Sequence, residues 1–462
     1  MKKLCLTIED FFRLKDSVLY DHEKIKSVTK VSIDSRNVPK GSLFVAIKGD
    51  KFDGHNFVRE AVSKGASIVL INSDKLSSIG NIDIPIITVK NTTLALGELA
   101  AFWRKKLKTK IIGITGSSGK TTTKEILFTL LSGKYKVNKT SGNYNNHIGV
   151  PLTLFSTKNR HDYLVIEHGT NHFGEIKYTA EIAKPDFAMI TNIGNSHLEF
   201  LKNRKGVYKE KSTLFDETIA NNGVLFINND DALMVSANKK YKKRISFGIE
   251  KKSDVRGKIS GYTSDGQPIV SINYNGMRSV FEVPLYGEQS ARNFLAAAAI
   301  SFKLGLRSEE IKRRLGKIRA VDKRLIVQRV NDFILINDTY NANPDSMKMS
   351  LQLLSQIKRY KNHVAILGDM FELGKESKSL HEKLANVIIK NKIDSVYTIG
   401  KFMKHLHIKL KSKSIETLHF NNRASLNNYL TQKSFTNSIV LVKGSRGMKM
   451  EEFVETLKSN NK

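Results

Sequence analysis

The middle of the chain alternates short apolar runs with segments of helical periodicity. Amphipathic segments separate a set of β-rich runs, namely YKV, YLVIEHG, FAMITNIG, GVLFINN and RISFGI. This alternation predicts a parallel sheet with helices packed against it. The stretch 254–285 instead alternates polar and apolar residues between glycines, which predicts a β-hairpin excursion. The next segment, SARNFLAAAAISFKLG, has the pattern of a strong helix that ends at Gly305.

A glycine-rich segment connects one strand of this sheet to an amphipathic helix. It reads IIGITGSSGKTTTKEIL (111–127), and Ile114 stands where the common P-loop spacing has a glycine. Glycines allow close backbone approaches, and the N–H groups and dipole at a helix N-terminus favour a phosphate. Lys120 adds a positive charge, and the hydroxyl of Thr121 or Thr122 can ligate Mg²⁺. The segment therefore predicts a nucleoside triphosphate site formed by Gly116, Ser117, Ser118, Gly119, Lys120, Thr121 and Thr122.

Two further α/β segments flank the central one. The N-terminal segment contains a predicted helix, LTIEDFFRLK, two short strands within 30–58, and a long amphipathic helix at 92–107. The C-terminal segment begins with two predicted strands joined at Asn331-Asp332, and Asn343-Pro344 has the pattern of a helix start. We therefore predict an α/β protein with a small α/β N-terminal domain (1–108), a central P-loop ATPase-like domain with a mainly parallel sheet (109–321) and a C-terminal Rossmann-like α/β domain (322–462).

Candidate polar side chains follow two strands of the central sheet. Glu167 follows YLVI, and His197 comes shortly after AMITNIG. Ligands of open α/β sheets lie beyond the carboxyl ends of the strands, and carboxylate and imidazole groups can bind Mg²⁺ or its water shell. From spacing alone, an ordinary strand-end acid and a surface histidine are equally good interpretations. In the first domain, Ser35 and Arg36 form a turn whose side chains contact either phosphate or only solvent.

The composition narrows the class of protein. The formal charge is +32, but the basic residues are mostly lysines spread from Lys2 to Lys462, without a zinc-finger, RNP-type or basic-helix pattern. We therefore favour a general lysine bias over a nucleic-acid surface and expect no nucleic-acid partner. The N-terminus lacks the apolar core of a signal peptide, and we find no apolar run long enough to span a bilayer. Cys5 is the single cysteine, which suits a reducing cytoplasm.

Seven stretches together resemble one enzyme family. They are GITGSSGKTTTKE, SGNYNNHIGVPLTL (141–154), EHGTNHFGEI (167–176), NIGNSHLEFL (192–201), NDTYNANPDSM (337–347), LGDMFELG (367–374) and KGSRGMKMEE (443–452). In this order they are similar to the Mur ligases, which form amide bonds with ATP in peptidoglycan synthesis. Within that family, SIDSRNVPKGSLFVAIKGDKFDGHNF, YNANP and GDMFELG resemble the enzymes that add D-alanyl-D-alanine (D-Ala-D-Ala) to UDP-N-acetylmuramoyl-tripeptide. The resemblance implies a pentapeptide product, made through an acyl phosphate by a cytoplasmic monomer.

The resemblance also implies catalytic roles for individual residues. Lys120 would hold the β- and γ-phosphates of ATP, and Thr121 and Glu167 would surround one Mg²⁺. His197 would lie near a second metal. Other implied contacts are with the reacting carboxylate and phosphate (Asn143, Asn145 and Asn146), adenine (Asn293), the γ-phosphate (Arg324), the ribose (Asp338) and the uridine diphosphate group (Ser35 and Arg36). Because two of the nucleotide contacts come from the third domain, the resemblance implies domain closure over ATP.

One lysine is assigned by resemblance alone. Lys211, in GVYKEKSTLF, falls where the family carries a lysine that is carbamylated by CO₂. A carbamate turns a cation into an anionic oxygen ligand, which the resemblance places at the second metal. Lys209 lies two positions away and is the alternative residue.

Several positions depart from the family pattern. Gln289 and Ser290 stand where a His-Asn pair is usual, and His168 stands where a methionine or leucine is common. Lys323 replaces the usual glycine before the arginine, and Asn337-Asp338 replaces the acidic pair before YNAN. The first of these changes concerns the adenine pocket, and none of them alters the residues assigned to the chemistry.

Other functions fit parts of the sequence. A folylpolyglutamate synthase would share the P-loop, but the SIDSR…GHNF segment argues against it. A neighbouring Mur step would share most motifs, but YNANP and GDMFELG argue against that. A P-loop protein that binds nucleic acid would account for the charge, and it predicts steeply salt-dependent DNA or RNA binding with stimulated ATPase activity.

Overall fold

The computed structural model describes residues 4–263, 266–413 and 415–459. Within these residues, the strands form three sheets of five, nine and six strands, and helices pack against them. Each sheet lies within one of the three predicted segments and is mainly parallel. The predicted α/β class with three domains is therefore confirmed.

The N-terminal sheet is small and has a single antiparallel pair. Its strands are β1 (Val18–Tyr20), β2 (Val31–Ser32), β3 (Ser42–Val45), β4 (Ala66–Asn72) and β5 (Ile86–Val89), in the order β1-β5-β4-β3-β2 with β1 antiparallel to β5. The helices of this part are α1 (Ile8–Phe12), α2 (Val58–Ser63), α3 (Leu76–Ile79) and α4 (Thr92–Lys106). Helix α1 is shorter than the predicted segment, and the chain turns soon after it at Asp16, where φ is +56°.

The central sheet carries the P-loop. Its strands are β6 (Lys110–Thr115), β7 (Val137–Lys139), β8 (Tyr163–Glu167), β9 (Phe187–Ile190), β10 (Val224–Asn228), β11 (Arg244–Gly248), β12 (Val255–Tyr262), β13 (Pro268–Tyr274) and β14 (Met277–Glu282). Its order is β14-β13-β12-β11-β10-β9-β6-β8-β7, and the strands from β7 to β12 run parallel. The helices are α5 (Lys120–Leu131), α6 (Gly149–Ser156), α7 (Glu175–Ala183), α8 (Leu198–Leu201), α9 (Arg204–Ala220), α10 (Ala232–Lys240), α11 (Glu288–Lys303) and α12 (Ser308–Leu315).

The stretch predicted as a β-hairpin is instead a three-stranded extension of this sheet. Strands β12, β13 and β14 pair antiparallel, and β12 also pairs parallel with β11. The connection between β13 and β14 contains Asn275 and Gly276, with φ of +49° and +79°. Asn-Gly is the preferred sequence for two-residue hairpin turns with this backbone. The prediction missed this second turn and therefore the third strand.

The C-terminal domain follows the predicted pattern closely. Its strands are β15 (Ile326–Val330), β16 (Phe333–Asp338), β17 (Asn362–Gly368), β18 (Ser395–Ile399), β19 (Glu416–Phe420) and β20 (Ser438–Lys443), in the order β15-β16-β20-β17-β18-β19. The helices are α13 (Pro344–Gln356), α14 (Ser377–Lys390), α15 (Met403–Lys411), α16 (Arg423–Gln432) and α17 (Glu451–Ser459). The turn at Asn331 and the helix start at Asn343 are confirmed, because β15 pairs with β16 across the turn and Asn343 accepts the backbone N–H of Ser346.

Apolar clusters join the domains. Trp103 of α4 is buried with Leu154 of α6 in one cluster, and its indole N–H donates to the Leu154 carbonyl at 3.1 Å. A second cluster contains Leu198 of α8 together with Met347 and Leu373 of the C-terminal domain. The three domains are therefore held in contact by buried side chains as well as by the connecting chain.

Helix α11 supports the P-loop helix α5 from behind. Its alanines at 296–299 are buried, and small side chains allow two helices to approach closely. Although α11 is rich in apolar residues, no helix in the described part of the chain combines the length and hydropathy needed to cross a bilayer.

His168 is a buried histidine that directly follows strand β8 of the central sheet. Its Nδ1 lies 2.9 Å from the Thr179 hydroxyl, whereas its Nε2 has no hydrogen-bond partner among the described residues. Burial lowers the pKa of His168 to about 3, because the charged form would lose its hydration. The folded protein therefore holds this side chain neutral.

We expect His168→Met to stabilise the protein, and increasingly so at acidic pH. The free imidazole takes up a proton near pH 6.5, whereas the folded one does so only near pH 3, so wild-type stability falls as pH decreases through this window. At pH 5 the proton term alone amounts to about 2 kcal/mol. Urea unfolding at pH 7 and pH 5 measures this change in the free energy of unfolding. His22→Met, at an exposed position, is the matched control. Equal pH dependence of wild type and His168→Met would contradict the expectation.

Candidate active site between the central and C-terminal domains

The P-loop is formed as the sequence predicts, between the end of β6 and the start of α5. Gly119 lies in the left-handed region at φ +78° directly before the first helical residue, Lys120. A Cβ on Gly116 would approach the Thr191 hydroxyl to 1.9 Å, so only glycine fits there. Asn192 fixes the loop by accepting the N–H of Ser118 at 3.0 Å. The loop is therefore held in place by the residues that follow the neighbouring strand β9.

Lys120 lies folded over the loop. Its Nζ donates to the Gly116 carbonyl at 2.7 Å. Burial lowers the pKa of Lys120, the nearby Arg324 adds to this, and Glu167 opposes it. An ammonium with so little solvation interacts strongly with a phosphate that replaces the carbonyl as its partner.

Glu167 is the buried carboxylate of the site. Its Oε2 accepts the Thr121 hydroxyl at 2.8 Å, and its Oε1 accepts the Asn145 side-chain amide at 2.9 Å. The side chain is 2% exposed. The two hydrogen bonds connect three parts of the site, namely the P-loop helix, the end of β8 and the asparagine-rich loop.

Lys124 completes this network, although no sequence pattern distinguishes it among so many lysines. It lies one turn after Lys120 and its side chain is fully buried. Its Nζ donates to the carbonyls of Thr140 at 2.8 Å and Gly142 at 3.3 Å and lies 3.7 Å from Glu167 Oε2. The lysine thereby holds the start of the asparagine-rich loop against helix α5. Its signal in the sequence is position only, since it shares the helix face of the P-loop lysine.

His197 directly precedes α8 and lines the cavity, whereas Lys211 is buried on α9 within reach of the charge of Lys120. His197 Nδ1 lies 2.5 Å from Glu372 Oε2 of the C-terminal domain. Burial lowers the pKa of Lys211 well below its usual value, and the charge of Lys120 lowers it further. Lys209 is instead exposed, with its Nζ 5.9 Å from the centre of the Phe173 ring. Burial, together with the charge of Lys120, thus distinguishes Lys211 from its neighbour.

The C-terminal domain forms the wall of the site opposite the P-loop. Asp338 accepts hydrogen bonds from Lys443 Nζ at 2.5 Å and from the Ser350 hydroxyl at 2.7 Å. The guanidinium of Arg324 lies 4.0 Å from the centre of the Tyr340 ring, and that of Arg446 lies 5.5 Å from it. These contacts place two arginines next to one aromatic ring at the wall of the cavity.

A cavity of about 460 Å³ lies between the two domains. It is lined by most of the predicted site residues, namely Ser117, Ser118, Gly119, Lys120, Thr122, Asn143, Asn145, Glu167, His197, Asn293, Arg324 and Asp338. A smaller space of about 170 Å³ adjoins it and shares Ser117, Lys120 and His197. Four further residues of the C-terminal motifs line these cavities, although the sequence patterns did not indicate them. They are Tyr340, Glu372, Lys443 and Arg446.

The other predicted residues lie outside this lining, namely Ser35, Arg36, Gly116, Thr121, Asn146 and Lys211. Asn146 accepts the N–H of Gly149 at 2.9 Å and so caps the start of α6. In the first domain, the Ser35 hydroxyl donates to Glu60 at 3.0 Å, and Arg36 pairs with Asp34 at 2.8 Å. That guanidinium lowers the pKa of Asp34 to about 2. The structure therefore does not bring Ser35 and Arg36 into the interdomain cavity.

Gln289 and Ser290, two departures noted in the sequence, line the cavity at the start of α11. The Gln289 amide donates to Asn293 Oδ1 at 2.7 Å, and the Ser290 hydroxyl donates to the Tyr286 carbonyl at 2.7 Å. Gln289 Oε1 and Arg324 Nε are buried without a hydrogen-bond partner in the described residues. Buried polar atoms of this kind are normally paired, so their presence at a cavity wall fits a site that receives a polar ligand.

The donor set fits Mg²⁺. Within the described ranges, no cluster of three or more His, Cys, Asp or Glu side chains can enclose a metal ion. Mg²⁺ does not need one, because it keeps several waters and binds through one or two protein oxygens together with substrate phosphates. Thr121 and Glu167 offer such oxygens beside Lys120. Unmodified Lys211 offers no anionic oxygen, but its lowered pKa favours the neutral amine that reacts with CO₂.

Curated relatives match the chain nearly from end to end. The UDP-N-acetylmuramoyl-tripeptide–D-alanyl-D-alanine ligase of Escherichia coli is 35% identical over 444 residues, which is 93% of this chain and 94% of the relative. The enzyme of the same name from Bacillus subtilis is 33% identical over 431 residues, or 92% of each chain.

Solved structures agree with these relatives. A crystal structure of MurF from Acinetobacter baumannii superposes with a TM-score of 0.87 at 30% identity, covering 99% of this chain and 100% of the other. MurF ligase from Thermotoga maritima in complex with ADP gives a TM-score of 0.82 at 28% identity, covering 93% and 97%.

Family models match all three parts of the chain. The models are the Mur ligase family catalytic domain at 27–104, the Mur ligase middle domain at 114–301, and the Mur ligase glutamate ligase domain at 324–446. Together with the identity to the curated relatives, these matches mean that the chain belongs to the Mur ligase family.

Proposed function

We propose that this protein is an ATP-dependent ligase that adds D-Ala-D-Ala to UDP-N-acetylmuramoyl-tripeptide, forming the pentapeptide precursor of peptidoglycan. The observation that carries the proposal is the convergence of Lys120, Glu167 and His197 on one interdomain cavity beside the P-loop. The relatives named for this reaction cover more than nine-tenths of the chain, which supports the substrate.

The reaction must first activate a carboxylate. A carboxylate resists attack by an amine because oxide is a poor leaving group. The terminal carboxylate of the tripeptide attacks the γ-phosphorus of ATP, ADP leaves, and an acyl phosphate forms. Lys120 neutralises charge on the transferring phosphoryl group, and bound Mg²⁺ supplies further charge neutralisation. Asn143 and Asn145 line the cavity beside Glu167 and orient the carboxylate.

The second step forms the amide. The amino group of D-Ala-D-Ala attacks the carbonyl carbon of the acyl phosphate, phosphate leaves, and the nitrogen loses a proton. An acyl phosphate is also hydrolysed by water, so the reaction needs an enclosed site. Asn343 of the C-terminal domain approaches Ser117 of the P-loop to 3.4 Å, which encloses this side of the cavity.

Thr121 and Glu167 would hold one Mg²⁺, and His197 with carbamylated Lys211 would hold a second. The support is the hydrogen bond between Thr121 and Glu167 and the burial of Lys211, which lowers the pKa of Lys211 together with the charge of Lys120. A neutral amine adds to CO₂ and releases a proton, which yields the carbamate.

The remaining assignments concern the whole chain. We propose that residues 1–108 bind the uridine diphosphate part of the substrate through Ser35 and Arg36, that 109–321 bind ATP, and that 322–462 complete the ligase site. We also propose that the protein acts as a monomer in the cytoplasm, where ATP and the UDP-tripeptide are both available. The test of the function is mass spectrometry of the product after incubation with ATP, Mg²⁺, D-Ala-D-Ala and the UDP-tripeptide. A pentapeptide that requires all substrates supports it, whereas ATP turnover without that product contradicts it.

Lys120→Ala should lower kcat by about a hundredfold or more, because the transferring phosphoryl group loses a charge partner. Phosphate release in the complete assay measures the change. Lys108→Ala removes the same charge from an exposed position and is the matched control. Near-normal turnover of Lys120→Ala with unchanged thermal stability would refute the assigned role.

Lys211→Ala should lose most activity and recover part of it with added acetate or propionate, since a short carboxylate can replace the carbamate oxygens. Lys209→Ala, two residues away and exposed, should stay within about twofold of wild type. Activity of wild type in CO₂-free buffer and after return of bicarbonate gives a second readout. Failure of both the rescue and the CO₂ dependence would count against the carbamate.

A further inference from the structure

A carboxylate of the C-terminal domain holds a histidine of the central domain. Glu372 lies in the GDMFELG motif after β17, and its Oε2 is 2.5 Å from His197 Nδ1. The histidine side chain is 17% exposed and the glutamate 39%. This pair crosses the domain interface at the smaller space that also contains Lys120 and Arg446.

The backbone around the pair is also fixed across the interface. The N–H of Glu199 donates to the carbonyl of Glu372 at 3.0 Å. His197 and Glu372 both lie in the left-handed region, with φ of +53° and +61°. Few residues other than glycine adopt this conformation, and those that do concentrate at functional sites. Two such residues in direct contact point to a selected arrangement rather than to an incidental surface pair.

The direction of the hydrogen bond determines which nitrogen of His197 is free. An ionised carboxylate only accepts, so Nδ1 carries the hydrogen that Glu372 binds. In a neutral imidazole, Nε2 then keeps its lone pair.

We propose that Glu372 is a positioning residue that prepares His197 Nε2 to bind the second metal ion, and that it does so only when the C-terminal domain is closed. Histidine ligands of metals commonly donate their other nitrogen to a carboxylate, which fixes the tautomer and the ring orientation. Here that carboxylate belongs to a different domain from the histidine. The inference rests on the metal role proposed for His197.

Metal binding and domain closure are therefore coupled. If closure raises the affinity of His197 for the metal by a given factor, the metal favours closure by the same factor. The open enzyme would lack a prepared second metal site, which ties assembly of the catalytic centre to enclosure of the acyl phosphate.

A simpler role for Glu372 is that it only helps to hold the domains together. Asp345 provides the matched control, because its Oδ2 accepts the backbone N–H of Asn195 at 2.8 Å across the same interface. Asp345→Ala removes an interdomain hydrogen bond without touching the imidazole. Glu372→Ala removes both the interdomain contact and the partner of Nδ1, whereas Glu372→Gln keeps a carbonyl oxygen that can accept from it.

The experiment measures Mn²⁺ binding by electron paramagnetic resonance in the presence of the non-hydrolysable analogue AMP-PNP. The site that depends on His197 is defined as the one lost in His197→Ala. We expect Glu372→Ala to weaken binding at this site by roughly 10- to 100-fold. Glu372→Gln should fall between Glu372→Ala and wild type, and Asp345→Ala should stay within about twofold of wild type.

Small-angle scattering during the same Mn²⁺ titration measures closure. The wild-type radius of gyration should contract over the concentration range in which the His197-dependent site fills, and Glu372→Ala should need correspondingly more Mn²⁺. Wild-type affinity in Glu372→Ala would overturn the inference. An equal loss in Asp345→Ala would also overturn it, because Glu372 would then act only as an interdomain contact. Unchanged Mn²⁺ stoichiometry in His197→Ala would overturn the metal role itself, whatever product the ligase assay gives.

Discussion

The structure depends on how charge is buried at the carboxyl end of the central sheet. Lys124 and Lys211 are fully buried there, Lys120 is half-buried, and Glu167 is the carboxylate they surround. A buried charge without partners costs several kcal/mol, so each group has to be paired, hydrogen-bonded or neutralised. Lys124 is paired, Lys211 has a lowered pKa, and Lys120 makes a carbonyl contact that a phosphate can replace. The excess of positive charge makes this edge of the sheet a site for anions.

The same requirement shapes the loop that follows β7. Lys124 binds the carbonyls of Thr140 and Gly142, and Asn145 binds Glu167. A loop rich in asparagine has little apolar surface to hold it in place, so these hydrogen bonds determine where its side chains lie. The loop can therefore present Asn143 to the cavity although it contains no regular secondary structure before α6.

The sequence predicted the elements well because its periodic patterns are local. The strands of the central sheet, the turn at Asn331 and the helix start at Asn343 depend on residues a few positions apart. The third strand of the 254–285 stretch was missed because the Asn275-Gly276 turn was not distinguished from other glycine-containing turns. The P-loop and the residues after β8 and β9 could be selected as a site because sheet topology places strand ends together.

The rest of the site could not be obtained in that way, because it depends on burial and on contacts between domains. A lysine on a helix in a chain of charge +32 is most simply a solvated one, and only its buried position distinguishes Lys124. Lys211 and Lys209 differ in the same respect. Glu372 and His197 are 175 positions apart in the sequence, so no local sequence pattern includes both residues.

Two kinds of contact join the central and C-terminal domains, and they have different consequences. Leu198, Met347 and Leu373 share a buried apolar cluster, and apolar contacts stabilise association without fixing one register. The hydrogen bonds from His197 and the Asn195 backbone to Glu372 and Asp345 are directional, so they are satisfied in one relative position only. The apolar cluster therefore holds the C-terminal domain against the P-loop side, while the polar contacts determine where Arg324 and Asp338 meet the nucleotide cavity. One of those polar contacts is made by His197, so under the metal role proposed for this residue the position of the domain and the chemistry of the site would depend on the same hydrogen bond.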